Sequence, residues 1–377
     1  MAQAFDVCVR GAGIVGRSLA LLLARDRLRV ALVAQEPPVG ASSDVRAYAM
    51  NDASRELLQS LRSWPDPMHA TAVATMQVHG DDGGKVSFSA STSQADALAW
   101  IVDVPPLQAQ LVEAVRYQPL IDVVDAPQPA PLTVVCEGRA SSTRAEFNVD
   151  FDVTPYPQQA IASRLVCEKP HGQVASQWFS QGETLAFLPL GGPDGNLVAL
   201  VWSVHESRAG GLLALDAAAF AAEVETASQG ALGKLTLQSE RAAWPLQLAR
   251  ASRWVGTKEG RGWALAGDAA HTVHPLAGQG LNLGLADAAE LARVLHEREY
   301  WRGVGDERLL RRYERARKAD VVTMGLATDG LQQLFAQPSP PLQALRNWGM
   351  KGFERSGPLK AWVARQAMGL RQNGLKR

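Results

Sequence analysis

The run Trp263–Ala292, WALAGDAAHTVHPLAGQGLNLGLADAAELA, decides the fold. Trp263 to Ala266 is a short apolar stretch that predicts a buried strand, and Gly267-Asp268 ends it. A loop holding His271, His274, Pro275, Gly278 and Gly280 follows. From about Gln279 onward, Leu281, Leu285, Ala288, Leu291 and Leu295 recur at helical spacing. A strand, a Gly-rich loop and a helix start make an anion-receptive site, because the first-turn amides lack intrahelical partners and the dipole favours negative charge. Asp268, at the strand's end, is placed to accept hydrogen bonds from a hydroxylated ligand.

A second such turn stands near the start of the chain. Phe5 to Arg10 predicts a strand, Gly11-Ala-Gly13-Ile-Val-Gly16 follows, Leu19, Leu22 and Leu23 begin a helix, and Arg29 to Val33 predicts another strand. In that context G-x-G-x-x-G means a tight turn, close backbone approach to a pyrophosphate and close packing of helix on strand.

The downstream run resembles the second FAD motif of the flavin aromatic hydroxylases with the para-hydroxybenzoate hydroxylase fold. It is most similar to the ubiquinone-biosynthesis hydroxylases, in which GDAAH precedes HP-x-x-GQG-x-N-x-G-x-x-D. Here that pattern is unbroken at Gly267, Asp268, Ala269, Ala270, His271, His274, Pro275, Gly278, Gln279, Gly280, Asn282, Gly284 and Asp287. The resemblance implies FAD held in one site by both ends of the chain. Its cofactor-binding residues would be Gly11, Gly13, Gly16, Glu36, Arg46, Gln108, Gly267, Asp268, Pro275, Gly278, Gln279, Gly280 and Asn282. Pro275, Gly278, Gln279 and Gly280 would lie near the isoalloxazine, and no side chain is assigned as a catalytic base.

Several positions depart from the family pattern. Arg10 stands where such strands carry an apolar residue. The ribose-binding acidic residue would fall at Ala34, and Glu36, two positions later, or the intervening Gln35 would substitute if the loop is reshaped. Arg46, within Asp44-Val-Arg-Ala-Tyr-Ala-Met50, is the candidate for the arginine near the flavin phosphates, and a surface salt bridge is the plainer reading. The helix over Leu107–Val115 should open on a flavin-contacting glutamine, but that position is Ala109, between Gln108 and Gln110. Ala126 to Pro131 carries a proline at every second position, which disfavours ladder pairing. The motif A-D-G-x-x-S-x-x-R then arrives early as Cys136-Glu137-Gly138-Arg139-Ala140-Ser141-Ser142-Thr143-Arg144. Its aspartate is Glu137, while Ser141 and Arg144 fit. The FAD domain is therefore expected to lack a β-meander.

The fold implied is α/β, a Rossmann-like FAD domain with an inserted antiparallel β-sheet substrate domain and a C-terminal helical region. Residues 1–72, 101–150 and 256–336 would form the FAD domain, 73–100 a hairpin of the substrate domain, 151–255 its sheet, and 337–377 the terminal helices. The hairpin itself is predicted by alternation from Met76 to Ala90 around Asp-Asp-Gly-Gly. One sheet face of this fold walls the substrate, so Phe187, Leu188 and Pro189 are candidates for that wall, and Trp244-Pro245-Leu246 for a strand passing the flavin.

Composition excludes other classes. Lys+Arg and Asp+Glu number 38 each, which offers nucleic acid no basic surface. Cys8, Cys136 and Cys167 have neither a disulfide-framework nor a zinc spacing, and His271 and His274 make a poor metal site. No G-x-S-x-G elbow or Walker loop is present. No apolar run reaches the roughly 18 residues of a membrane span, and no secretory leader is visible, so a cytoplasmic location is expected. The last stretch sets Lys351, Arg355, Lys360, Arg365, Arg371, Lys376 and Arg377 against Glu354, with Trp348, Phe353, Trp362 and Met368 between them. It reads either as a packed helix with a solvated basic face or as a peripheral contact with the inner membrane.

By resemblance, the activity is hydroxylation of the aromatic ring of a polyprenyl-phenol in ubiquinone biosynthesis, through a flavin C4a-hydroperoxide. Molecular oxygen and NAD(P)H or another reductant would be consumed, without a second Rossmann domain for the nicotinamide. The helix start at Gly278-Gln279-Gly280 would stabilise negative charge on the reduced flavin. Two alternatives stay open: a hydroxylase of a soluble aromatic, and a degenerate member serving as an accessory or scaffold subunit. A homo-oligomer or an assembly with other ubiquinone-biosynthesis proteins is expected on resemblance alone.

Overall fold

The first strand, Val7–Arg10, has Val7, Cys8 and Val9 with no solvent exposure, because it is flanked on both edges and covered on both faces. It pairs in parallel with Val30–Val33 on one side and Leu132–Val135 on the other. Ile121–Val124 extends the sheet beyond Val30–Val33, and Arg261–Leu265 beyond Leu132–Val135, both in parallel. Val255–Lys258 closes that edge as an antiparallel partner of Arg261–Leu265. Near-continuous apolar strands of this kind are what a parallel sheet covered by helices requires. The computed structural model describes residues 4–34, 44–80, 83–93, 95–272 and 279–336, with side chains of the last helix as far as Val322.

The expected strands from Phe5 and Arg29 begin two residues and one residue later, at Val7 and Val30. Helix Ile14–Arg25 packs between helices Val104–Arg116 and Gly280–His296, with Leu19, Leu22 and Leu23 buried against the sheet. Among the described residues no strand lies between Ile121–Val124 and Leu132–Val135. The proline-rich link between them crosses from one edge of the sheet to an inner position without a meander. Its prolines supply no amides to a ladder.

A larger, mainly antiparallel sheet forms the second body. Its order is His271–Thr272, Ala242–Ala251, Phe151–Cys167, Leu197–His205, Glu183–Pro189, Val174–Ser180, Thr75–His79 and Lys85–Ser89, with Leu235–Leu237 also on Phe151–Cys167. The expected hairpin is present as Thr75–His79 with Lys85–Ser89. The rest of the 73–100 segment behaves differently. Ala70–Val73 and Ala99–Asp103 join Ala47–Met50 in a separate three-stranded sheet between the two bodies.

Alternation along the large sheet divides its side chains between two faces. Phe187, Leu185, Trp178 and Trp202 pack with Leu212, Phe220 and Val224, which come from helices Glu206–Ala214 and Ala217–Ala227. Leu188, Ala199 and Leu197 pack instead with Ala47, Val73 and Ile101 of the small sheet. Burying a ring such as Phe220 stabilises this arrangement by about 1.5–3 kcal/mol.

Candidate cofactor site

The three glycines of the first motif do different work. Gly11 has φ +104°, and a Cβ there would lie 2.6 Å from the Cys136 carbonyl oxygen. A Cβ on Gly16 would lie 1.9 Å from the Gly11 carbonyl oxygen, so the helix can pack on the turn only without a side chain. At Gly13 the added carbon would meet nothing within 4 Å among the described residues. Gly13 is also the N-cap of Ile14–Arg25 and offers no side-chain cap. An uncapped helix start beside open space is the cradle a pyrophosphate requires, so these residues fit a dinucleotide.

The second motif meets the first at Val15. The positive φ of Gly267 (+62°) turns the chain at the end of Arg261–Leu265, and a Cβ on Gly267 would lie 3.4 Å from Val15 Cγ2. On Gly284 it would lie 2.8 Å from the same methyl. Val15 is an unspecified position of G-x-G-x-x-G, which is why its part in joining the two motifs was not readable in the sequence.

Asp287 anchors this turn from below. Its fully buried carboxylate accepts from the Gly267 amide at 2.8 Å, from His271 Nε2 at 2.7 Å and from Arg317 Nε at 2.7 Å. Burial alone would push this carboxyl up, but His271 and Arg317 hold it below the ordinary value. The His271 ring also stacks on Trp254, centroids 4.9 Å apart. Helix Glu307–Ala336 delivers Arg317, and fastens itself through Tyr313 Oη to the Leu265 carbonyl at 2.8 Å and Glu314 to the Trp254 amide at 2.9 Å.

The Asp268 side chain reaches solvent, yet protein surrounds it closely enough that burial raises its carboxyl above the ordinary value. His271, Arg139 and Arg46 provide positive charge near it and oppose that rise. Arg139 donates to the Pro245 carbonyl at 3.2 Å, which brings the predicted Trp244-Pro245-Leu246 strand to this site. Arg144 links the 137–146 loop to the same turn, donating to the Ala269 carbonyl at 3.3 Å and lying 3.7 Å over the Phe151 ring.

The family model described as an FAD binding domain matches residues 108–324. The ubiquinone hydroxylase UbiL of Rhodospirillum rubrum is 32% identical, over 97% of this chain and 89% of its own. The chain belongs to the FAD-binding ubiquinone hydroxylases. It is an FAD-dependent aromatic-ring monooxygenase that uses molecular oxygen and a reductant. The 3-demethoxyubiquinol 3-hydroxylase of Escherichia coli is 30% identical over 98% of this chain and 99% of its own. The crystal structure of p-nitrophenol 4-monooxygenase PnpA from Pseudomonas putida shares the fold, with a TM-score of 0.76 at 17% identity and full coverage of both chains.

Several site residues of this hydroxylase take roles other than those expected. Arg46 is held by Asp44 in a two-toothed pair (2.8 and 2.6 Å) and donates to Tyr48 Oη at 3.3 Å. The plainer ion-pair reading therefore describes its present contacts, although it stays close enough to Asp268 to act on that carboxyl. Asn282 is buried, and its amide is spent on backbone: Nδ2 donates to the Ala49 carbonyl at 2.8 Å and Oδ1 accepts from the Asn51 amide at 3.0 Å. These bonds fix helix Gly280–His296 against Ala47–Met50. Gln108 is half-buried on helix Val104–Arg116 beside exposed Ala109. Gln279 caps helix Gly280–His296 without a side-chain bond to its amides, as the anion-receptive reading requires. Glu36, His274, Pro275 and Gly278 lie outside the described residues.

Phe187 requires a correction. It is 1% exposed and belongs to the helix-covered core, on the sheet face turned away from the cofactor domain. Only Leu188 of the trio packs toward the small sheet. Directly paired residues of antiparallel strands share a face. The register Leu188↔Ala199, Ala186↔Val201 and Ala162↔Val201 therefore sets Ala162, Ala186 and Val201 on the Leu188 side. Pro189 is buried at the strand's end, paired with Val198. A continuous apolar run hides its parity, so the sequence could not separate Phe187 from Val201.

Among the described residues, no helix is long and apolar enough to cross a membrane.

Proposed function

We propose that this monooxygenase hydroxylates the aromatic ring of a polyprenyl-phenol precursor of ubiquinone, with NAD(P)H as reductant. The observation that carries this reading is the small-residue, apolar sheet face of Ala162, Ala186, Leu188, Ala199 and Val201. Arg164 shares the row of Ala199, but its Nη2 lies 2.7 Å from Asp103. The Asp103 carboxylate already offsets the charge of this guanidinium and weakens its pull on an ionised aromatic acid, which favours a neutral, lipophilic ring over a soluble one. The names of the two relatives point to the same substrate class. Bound FAD supplies the activation of oxygen. The chain's own residues hold it between Gly11–Gly16 and the Gly267-Asp268 turn, and the apolar face keeps water from the reacting ring.

Such a substrate resides in lipid, and the basic segment 351–377, outside the described residues, has the composition to rest on an anionic surface. Assembly with other ubiquinone-biosynthesis proteins, or into a homo-oligomer, belongs to the same proposal. The test supplies the FAD-loaded protein with NADH or NADPH, oxygen and either a prenylated phenol in liposomes or a soluble hydroxybenzoate. The proposal requires one oxygen atom to be added to the prenylated ring. Turnover of the soluble acid alone would overturn it.

A further inference from the structure

Arg10 and Glu137, separated by 127 residues in sequence, meet in space. Arg10 Nε donates to Glu137 Oε1 at 3.2 Å. The other carboxylate bonds of Glu137 come from its own loop, Ser141 Oγ at 2.6 Å and Thr143 Oγ1 at 2.7 Å. The two terminal nitrogens of Arg10 hold both oxygens of Glu146, at 2.7 and 3.0 Å. Most of each side chain is covered, 15% of Arg10 and 23% of Glu137 remaining accessible. An apolar residue at position 10 would leave these carboxylates without their cation, and a shorter acid at position 137 would not reach it.

The location gives the pair its meaning. Arg10 immediately precedes Gly11, and Glu137 follows Cys136, whose amide donates to the Arg10 carbonyl at 2.7 Å. At Gly11 the two loops are in backbone contact, since an added Cβ would lie 2.8 Å from the Glu137 amide nitrogen. The 137–146 loop also carries Arg144, which reaches the Ala269 carbonyl beside Asp268. A shift of Glu137 therefore moves two walls of the cofactor cradle together.

We infer that Arg10 and Glu137 are a matched positioning pair that sets the spacing between the Gly11–Gly16 turn and the 137–146 segment for FAD. This rests on the FAD-binding assignment.

The test is a double-mutant cycle read by FAD affinity. Wild type, Arg10→Leu, Glu137→Asp and the double variant are stripped of flavin, and each is titrated with FAD and melted without it. Each single change raises the FAD Kd about tenfold or more. The double variant falls short of the product of the two by at least tenfold, because the Arg10–Glu137 contact can be lost only once, while the bonds of Arg10 to Glu146 and of Glu137 to Ser141 and Thr143 add separately. Should Arg10→Leu fail to fold, Arg10→Lys in the same cycle keeps one cation and gives a smaller coupling of the same sign. Fold-changes in Kd that simply multiply overturn the inference. So does a coupling seen only in the melting temperature, which would make the pair a general stabiliser. Failure of the wild type to bind FAD in this titration would instead reject the flavoprotein assignment itself.

Discussion

Asp287 and Arg317, thirty residues apart on two helices, form a 2.7 Å ion pair from which solvent is excluded. The same carboxylate holds the Gly267 amide, so the last described helix is tied through one residue to the turn that carries Asp268. Removing one partner of such a pair leaves the other charged and buried, at a cost of about 3–5 kcal/mol. Arg317→Met should lower the stability of the flavin-free protein by about that amount in urea denaturation. A loss below about 1 kcal/mol, the range of a surface pair, would contradict this account of the turn.

The pair also sets a dependence on pH. Asp287 is held below the ordinary carboxyl value of 3.8 in the folded chain. Its contribution is therefore fully present above that value and lost as pH falls through the lower folded one. The stability difference between wild type and Asp287→Asn should shrink as pH falls below about 4. Denaturation curves measured across that range check the sign. A difference that grows on acidification would be the opposite result.

Gly13 and Gly16 separate cofactor binding from folding. A Cβ at Gly13 meets open space, whereas one at Gly16 lies 1.9 Å from a backbone oxygen. Gly13→Val should leave the melting temperature of the flavin-free protein within a few degrees of wild type and abolish FAD binding. Gly16→Ala should lower the melting temperature itself. Unchanged FAD affinity in Gly13→Val would remove the pyrophosphate from this turn.

Phe187 and Val201 separate the two faces of the large sheet. Phe187→Ala empties a filled core site and should cost about 3–5 kcal/mol of stability. Val201→Phe adds a ring on the opposite face, where Val201 is only partly buried. It should leave stability nearly unchanged and raise the KM for a prenylated phenol. A stability loss at Val201 as large as that at Phe187 would mean that its face is packed core.

The two phosphate-receptive turns, the hairpin at 75–89 and the missing meander were legible because glycines, prolines and period-two alternation act locally. Arg317 was legible in principle. It stands on the buried helix face with Leu310, Tyr313 and Val321, where a charge demands a partner. The partner was not readable, since Asp287 comes from another helix. Arg10 and Glu137 read separately as two defects because nothing local to either reveals a contact across 127 residues. The assignment of Phe187 failed, and the backbone contacts of Asn282 went unread, for a related reason. Which sheet face meets the cofactor domain, and which backbone groups need an amide, are set by tertiary packing rather than by nearby residues.

Both ends of this chain should build one FAD site despite Ala34 and Glu137. The visible absorption spectrum of the freshly purified, untagged protein, followed by flavin release on denaturation, tests it most directly. The protein should be yellow and release close to one FAD per chain. A colourless protein that also fails to take up added FAD would contradict it.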